Sequence, residues 1–125
     1  MKLEFLAGGP PDNPLVRLHD FTQDDARQLR RIFYLLADGS LKTAILQDMS
    51  FIEAVCGCRL KLLVGTRDRG IHSTASNIFE CTLTKLGWDN VGGLTDPFCE
   101  SGSKGFQWLT EHGPIRLLIS RNGEW

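Results

Sequence analysis

The chain has 125 residues, 42% hydrophobic and 23% charged, with a formal net charge of −1. That is the size and make-up of one globular domain, and it excludes a disordered or a fibrous chain. Near-neutral charge supplies no global field toward nucleic acid or an anionic bilayer.

Residues 1–14 carry three prolines and two glycines between positions 8 and 14, so they read as a flexible lead-in to a single α+β domain over 15–125. Residues 15–20 (LVRLHD) read as a strand. Val16 and Leu18 share one face, and Leu15, Arg17 and His19 share the other. Thr22 is placed to cap a helix over 22–38, with Asp24 and Asp25 in its first turn. Ala26, Leu29, Ile32, Phe33 and Leu36 form its apolar stripe, and Gly39 ends it. Residues 42–48 suggest a second strand, and 49–56 fits either a helical turn or extended chain. Over 58–66, Cys58, Leu60, Leu62 and Val64 alternate with Arg59, Lys61 and Leu63, which predicts a strand. A polar link over 67–76 leads to a strand at 77–84, with Phe79, Cys81 and Leu83 on its apolar face. A second helix over 85–96 follows. Strands at 105–110 and 114–121 close the chain, joined by a hairpin at Glu111-His112-Gly113.

The order strand, helix, strand, strand thus occurs twice. Leu60–Val64 matches Ile115–Ile119 in residue class, which makes 58–66 the counterpart of 114–121. The expected fold is α+β: duplicated β-α-β-β units forming a six-stranded, mostly antiparallel sheet with two helices on one face. This element order is similar to that of small effector-binding domains attached to bacterial transcription regulators. The likeness is one of element order, without a shared motif.

Chemical motifs are sparse. Cys56-Gly57-Cys58 is a single C-x-C without the second pair that a structural zinc site uses. With no apolar stretch of signal-peptide or membrane-span length, Cys56, Cys58, Cys81 and Cys99 read as free thiols of a cytoplasmic protein. His72-Ser73-Thr74-Ala75-Ser76 sets hydroxyls beside an imidazole, but adjacency in sequence is not a catalytic geometry, and the composition is that of a loop. Gly92-Gly93 and the 101–105 run match no phosphate-binding signature. No metal and no cofactor are expected.

The outward sheet face is the feature on which a function is expected, against the reading that its leucines are covered and its basic groups are ordinary solvated surface. It is expected to hold Arg17, His19, Lys61, Leu63, Arg116 and Leu118, with basic groups converging on a floor of leucine. The leading reading is a non-enzymatic module that binds an anionic small molecule or a partner protein on this face, a second copy of the chain included. The alternative is a small enzyme with a site at His19, His72 or His112, favoured by a carboxylate–histidine pair in an apolar cleft. Nucleic-acid binding ranks third. It needs aromatics on the open face, and Phe79, Phe106 and Trp108 read as inward.

Overall fold

In the computed structural model, which describes residues 1–8, 14–102 and 104–125, the elements follow from local chemistry. Strand β1 spans Lys2–Leu6 and β2 spans Leu15–His19. Helix α1, Gln23–Ala37, starts at Thr22 in a full capping box: Thr22 Oγ1 accepts from the Asp25 amide at 3.1 Å, and the Asp25 carboxylate accepts from the Thr22 amide at 3.2 Å. Strand β3 is Thr43–Ile45, followed by a short 3-10 turn, the two-residue strand β4 (Glu53–Ala54) and a second 3-10 turn. Strands β5 (Arg59–Val64), β6 (Gly70–Ala75) and β7 (Ile78–Leu83) come next. Helix α2, Lys85–Thr95, is capped by Thr84, whose Oγ1 accepts from the Gly87 amide at 3.0 Å. A 3-10 turn over Asp96–Cys99 leads to β8 (Phe106–Thr110) and β9 (Arg116–Ser120).

The α+β class holds, but the single six-stranded sheet does not form. The strands make two sheets, one of five strands in the order β4-β1-β2-β9-β8 and one of four in the order β3-β5-β7-β6. Both are mixed: β2 runs parallel to β9 and β5 parallel to β7, while β1–β2, β3–β5, β6–β7 and β8–β9 are antiparallel. The reason lies in two strands the patterning missed. β1 and β6 each give the following strand a hairpin partner, so each half of the chain holds two hairpins around one helix. Each sheet then joins one hairpin from each half. The strands expected to be equivalent, 58–66 and 114–121, consequently lie in different sheets. The lead-in reading of 1–14 is likewise corrected at β1, which sits inside the five-stranded sheet; residues 9–13 lie outside the described residues.

One core fills the space between the sheets and the helices. Leu3, Val16, Leu18, Leu117 and Ile119 enter it from the five-stranded sheet, and Leu60, Leu62, Ile71, Phe79 and Cys81 from the four-stranded one. The apolar stripe of α1 closes it, and burying each large side chain contributes about 1.5–3 kcal/mol. Helix α2 docks through Trp88, which is fully buried and stacks on Phe33 with ring centroids 5.7 Å apart. The Trp88 indole N–H donates to the Leu63 carbonyl at 3.0 Å, so the ring is buried without an unpaired donor. No helix among the described residues is long and apolar enough to cross a membrane.

Candidate functional site

The six residues expected on one outward face occupy two separate faces. Arg17, His19, Arg116 and Leu118 belong to the outer side of the five-stranded sheet, where the register aligns Glu4, Arg17, Leu118 and Trp108 across four strands. Lys61 and Leu63 belong to the outer side of the four-stranded sheet. The basic groups therefore do not converge on one floor of leucine.

The first face is largely satisfied internally. The Arg17 guanidinium donates to Glu4 Oε1 through Nε at 2.7 Å and to the Gly123 carbonyl through Nη1 at 2.7 Å. His19 Nε2 lies 3.2 Å from Glu4 Oε1 but off the line of a hydrogen bond. Burial, and then the adjacent Arg17 charge, hold the His19 pKa below its usual value. Arg116 sits 4.5 Å from the centre of the Trp108 ring and 3.4 Å from Glu111. Leu15 and Leu118 are buried. The C-terminal residues lie back over this face: Ser120 Oγ donates to the Glu124 carbonyl at 2.6 Å, beside the Arg17–Gly123 bond.

The second face is different. Its cross-strand rows are Ile45–Lys61–Glu80–His72 and Thr43–Leu63–Thr82–Gly70, with Arg59 opposite Ile78. Ile45 and Ile78 are each 37% exposed, and with Arg59, Lys61, Gln47 and Glu80 they line a hollow of about 150 Å³. Among the described residues, neither Arg59 nor Lys61 has a carboxylate within ion-pairing distance, whereas Lys2, Arg17, Arg30 and Arg116 each do. Ile45 and Ile78 were missed as site residues. The signal was present in alternation, since each is two positions from an outward-facing residue on its own strand.

All three histidines have a carboxylate near them. His72 Nε2 is 3.6 Å from Glu80, and His19 meets Glu4 as above. His112 and Asp68 share a cleft of about 320 Å³ between the start of α2 and the β8–β9 hairpin, walled by Leu83, Val91 and Leu109 with Asn90 and Thr110. Asp68 Oδ1 accepts from both the amide and the hydroxyl of Thr84, each at 2.8 Å. Those bonds, with a smaller contribution from His112, hold its pKa below the usual carboxylate value. This approach requires Gly87, where a Cβ would stand 2.5 Å from Asp68 Oδ1. It also requires Gly70, at φ +73°, whose absent Cβ would overlap the His112 carbonyl. The hydroxyls beside His72 serve the β6–β7 hairpin: Ser73 Oγ donates to the Ala75 carbonyl at 2.9 Å and Thr74 Oγ1 to the Ile78 carbonyl at 3.3 Å.

Phe79 points inward as expected, but Phe106 and Trp108 do not. They lie on the outer side of β8, Phe106 45% exposed and Trp108 under the Arg116 guanidinium, while Leu109 takes the inward position. The alternation did place Phe106 and Trp108 on one side. Which side faced the core depended on the strand pairing. Cys58, Cys81 and Cys99 are buried and Cys56 is exposed, all as free thiols. Among the described residues no group of three or more His, Cys, Asp or Glu side chains is arranged to hold a metal ion. Compared with protein-family models, with curated proteins and with solved structures, the chain matches none.

Proposed function

We propose that the protein is a non-enzymatic binding module and that the outer face of the four-stranded sheet receives an extended acidic segment of a partner protein. The observation that carries this reading is the pair of cations on β5, Arg59 and Lys61, among half-exposed Ile45 and Ile78; among the described residues neither is within ion-pairing distance of a carboxylate, although Glu80 stands opposite Lys61 and pairs instead with His72. Unpaired bases next to exposed aliphatic side chains match a segment in which acidic and apolar residues alternate, because such a segment turns both kinds of side chain to one surface. From Arg59 to Val64 the strand presents about 20 Å of this surface at roughly 3.3 Å per residue, which suits an extended peptide better than a compact metabolite.

The test is fluorescence anisotropy with a labelled ten-residue peptide of alternating Glu and Val. The Arg59→Ala/Lys61→Ala double variant should bind at least about tenfold more weakly than the wild type, and added salt should weaken the wild-type complex. Arg30→Ala, on α1, is the control. Equal affinity for the double variant and the control would overturn the reading. Binding of a fatty-acid anion without binding of the peptide would move the ligand from protein to small molecule.

The rival reading, a histidine-centred enzyme, is favoured by one observation, the Asp68–His112 cleft with its apolar wall. Against it, Asp68 Oδ1 is engaged by Thr84 at the start of α2, and Thr110 Oγ1 accepts from the His112 amide at 3.3 Å. Asp68 thus has a part in the architecture that accounts for its position, and the His112 backbone is fixed by the hairpin.

A further inference from the structure

The loop between β5 and β6, residues 65–69, turns one side chain away from its neighbours. Asp68 turns to α2 and is held there by Thr84. Its neighbours Arg67 and Arg69 instead line a hollow of about 520 Å³ together with Gly65, Thr66 and Thr82. Both arginines are exposed, and among the described residues neither is within ion-pairing distance of a carboxylate. Two guanidiniums lining one hollow, neither of them ion-paired among the described residues, favour an anion there.

The backbone that carries them is fixed at both ends. The Gly65 amide donates to the Leu83 carbonyl at 2.9 Å and the Arg69 amide to the Thr82 carbonyl at 2.9 Å. Gly70 packs directly on the His112 carbonyl. Guanidiniums that project from a fixed loop lose less freedom on binding than the same groups on a mobile one. The side chains of the residues around the hollow can offer two planar guanidinium forks and two hydroxyls, from Thr66 and Thr82. That set exceeds what one carboxylate accepts, and it suits the three terminal oxygens and near-double charge of a phosphoryl group. The hollow is open to solvent, so the ester a phosphoryl group is attached to can extend out of it.

We propose that this hollow is a phosphoryl-binding site, with Arg67 and Arg69 as the two clamps and Thr66 and Thr82 as hydroxyl donors. The proposal does not depend on the acidic-segment reading, since Arg59 and Lys61 do not line this hollow. The phosphoryl group belongs either to a small phosphate ester or to a phosphorylated side chain of a protein.

The experiment is a titration followed by amide chemical shifts, with inorganic phosphate as first probe and chloride at matched ionic strength as control. Phosphate should shift the amides of residues 65–70 and Thr82, with a Kd of about 1 mM or tighter. The Arg67→Ala/Arg69→Ala variant should weaken this at least about tenfold. The Arg67→Lys/Arg69→Lys variant should fall between, because it keeps charge and loses the fork. Arg59→Ala/Lys61→Ala should leave phosphate binding unchanged, which separates this site from the acidic-segment surface. Two further probes, ribose 5-phosphate and a phosphoserine tetrapeptide, name the source by whichever binds more tightly. Shifts reproduced by chloride, or a double alanine variant that binds phosphate as the wild type does, would overturn the proposal. An unchanged amide spectrum elsewhere in that variant shows that it is folded.

Discussion

Gly70 and Gly57 provide a matched pair for testing how firmly the β5–β6 loop is held. Both adopt left-handed backbone, φ +73° and φ +70°. Alanine at either site therefore takes on the same conformational penalty, about 1 kcal/mol, and the same reduction in unfolded-state freedom, about 0.4–1 kcal/mol in the other direction. The surroundings differ. A Cβ at Gly57 meets nothing within 4 Å, whereas at Gly70 it overlaps the His112 carbonyl oxygen and lies 2.8 Å from its carbon. Those are backbone atoms, so they yield only if the β8–β9 hairpin moves, at an overpacking cost of about 1–3 kcal/mol. Gly70→Ala should accordingly be about 1–3 kcal/mol less stable than Gly57→Ala in urea unfolding followed by tryptophan fluorescence, with the m-value unchanged. In melting temperature this is a gap of about 4–12 °C for a domain of this size. Stabilities that agree within about 0.5 kcal/mol, the ordinary scatter of surface substitutions, would show that the loop is not locked against His112. Arg67 and Arg69 would then project from a backbone that is free to move.

The thiols and the histidine under the C-terminal residues give two further outcomes. Cys56 is exposed, while burial raises Cys58 to about 11 and Cys81 to about 12 and also raises Cys99; a disulfide reagent at pH 8 should therefore label one thiol per folded chain and four after denaturation. Rapid labelling of two or more in the folded state contradicts the described core. The His19 pKa lies below its usual 6.5 because burial and Arg17 outweigh Glu4 and Asp20. The unfolded chain then takes up the proton first, so the stability due to neutral His19 is complete above about pH 6.5 and is lost as the pH falls below it. His19→Gln should flatten the fall in stability below that pH, and an NMR titration placing His19 above 6.5 would reverse the sign of this argument.

Much of the local structure was written in near-neighbour chemistry. Thr22 with Asp25 and the i, i+3, i+4 stripe from Ala26 to Leu36 specify α1 almost residue by residue. The alternation over 58–66 likewise specifies β5. β1 had the same kind of signal, since Leu3 and Phe5 alternate with Lys2 and Glu4, but the prolines that follow made the whole stretch read as lead-in. β6 gave less: Ile71 is its single core side chain, and His72, Ser73 and Thr74 look like a loop. The parallel pairings β2–β9 and β5–β7 had no local signature, because they depend on which hairpins meet once the core closes. That is also why the site was only partly legible. Alternation put Arg17, Lys61 and Arg116 on outward faces, whereas their division between two sheets was decided by pairing. Arg67 and Arg69 lay in a segment read as a polar link. Only the folded backbone shows that they share a hollow while Asp68 turns away.

The exchange of hairpins between the two halves governs the order in which the molecule can be assembled during synthesis. β2 is complete at residue 19, yet its parallel neighbour β9 begins at Arg116. On the ribosome the five-stranded sheet therefore waits with an open strand edge until nearly the whole of the chain described here has emerged. The four-stranded sheet, by contrast, is complete at residue 83. The interval between the emergence of residue 19 and that of Arg116 is thus the one in which the nascent chain leaves this edge of β2 open to wrong partners, and pauses there would lengthen that exposure.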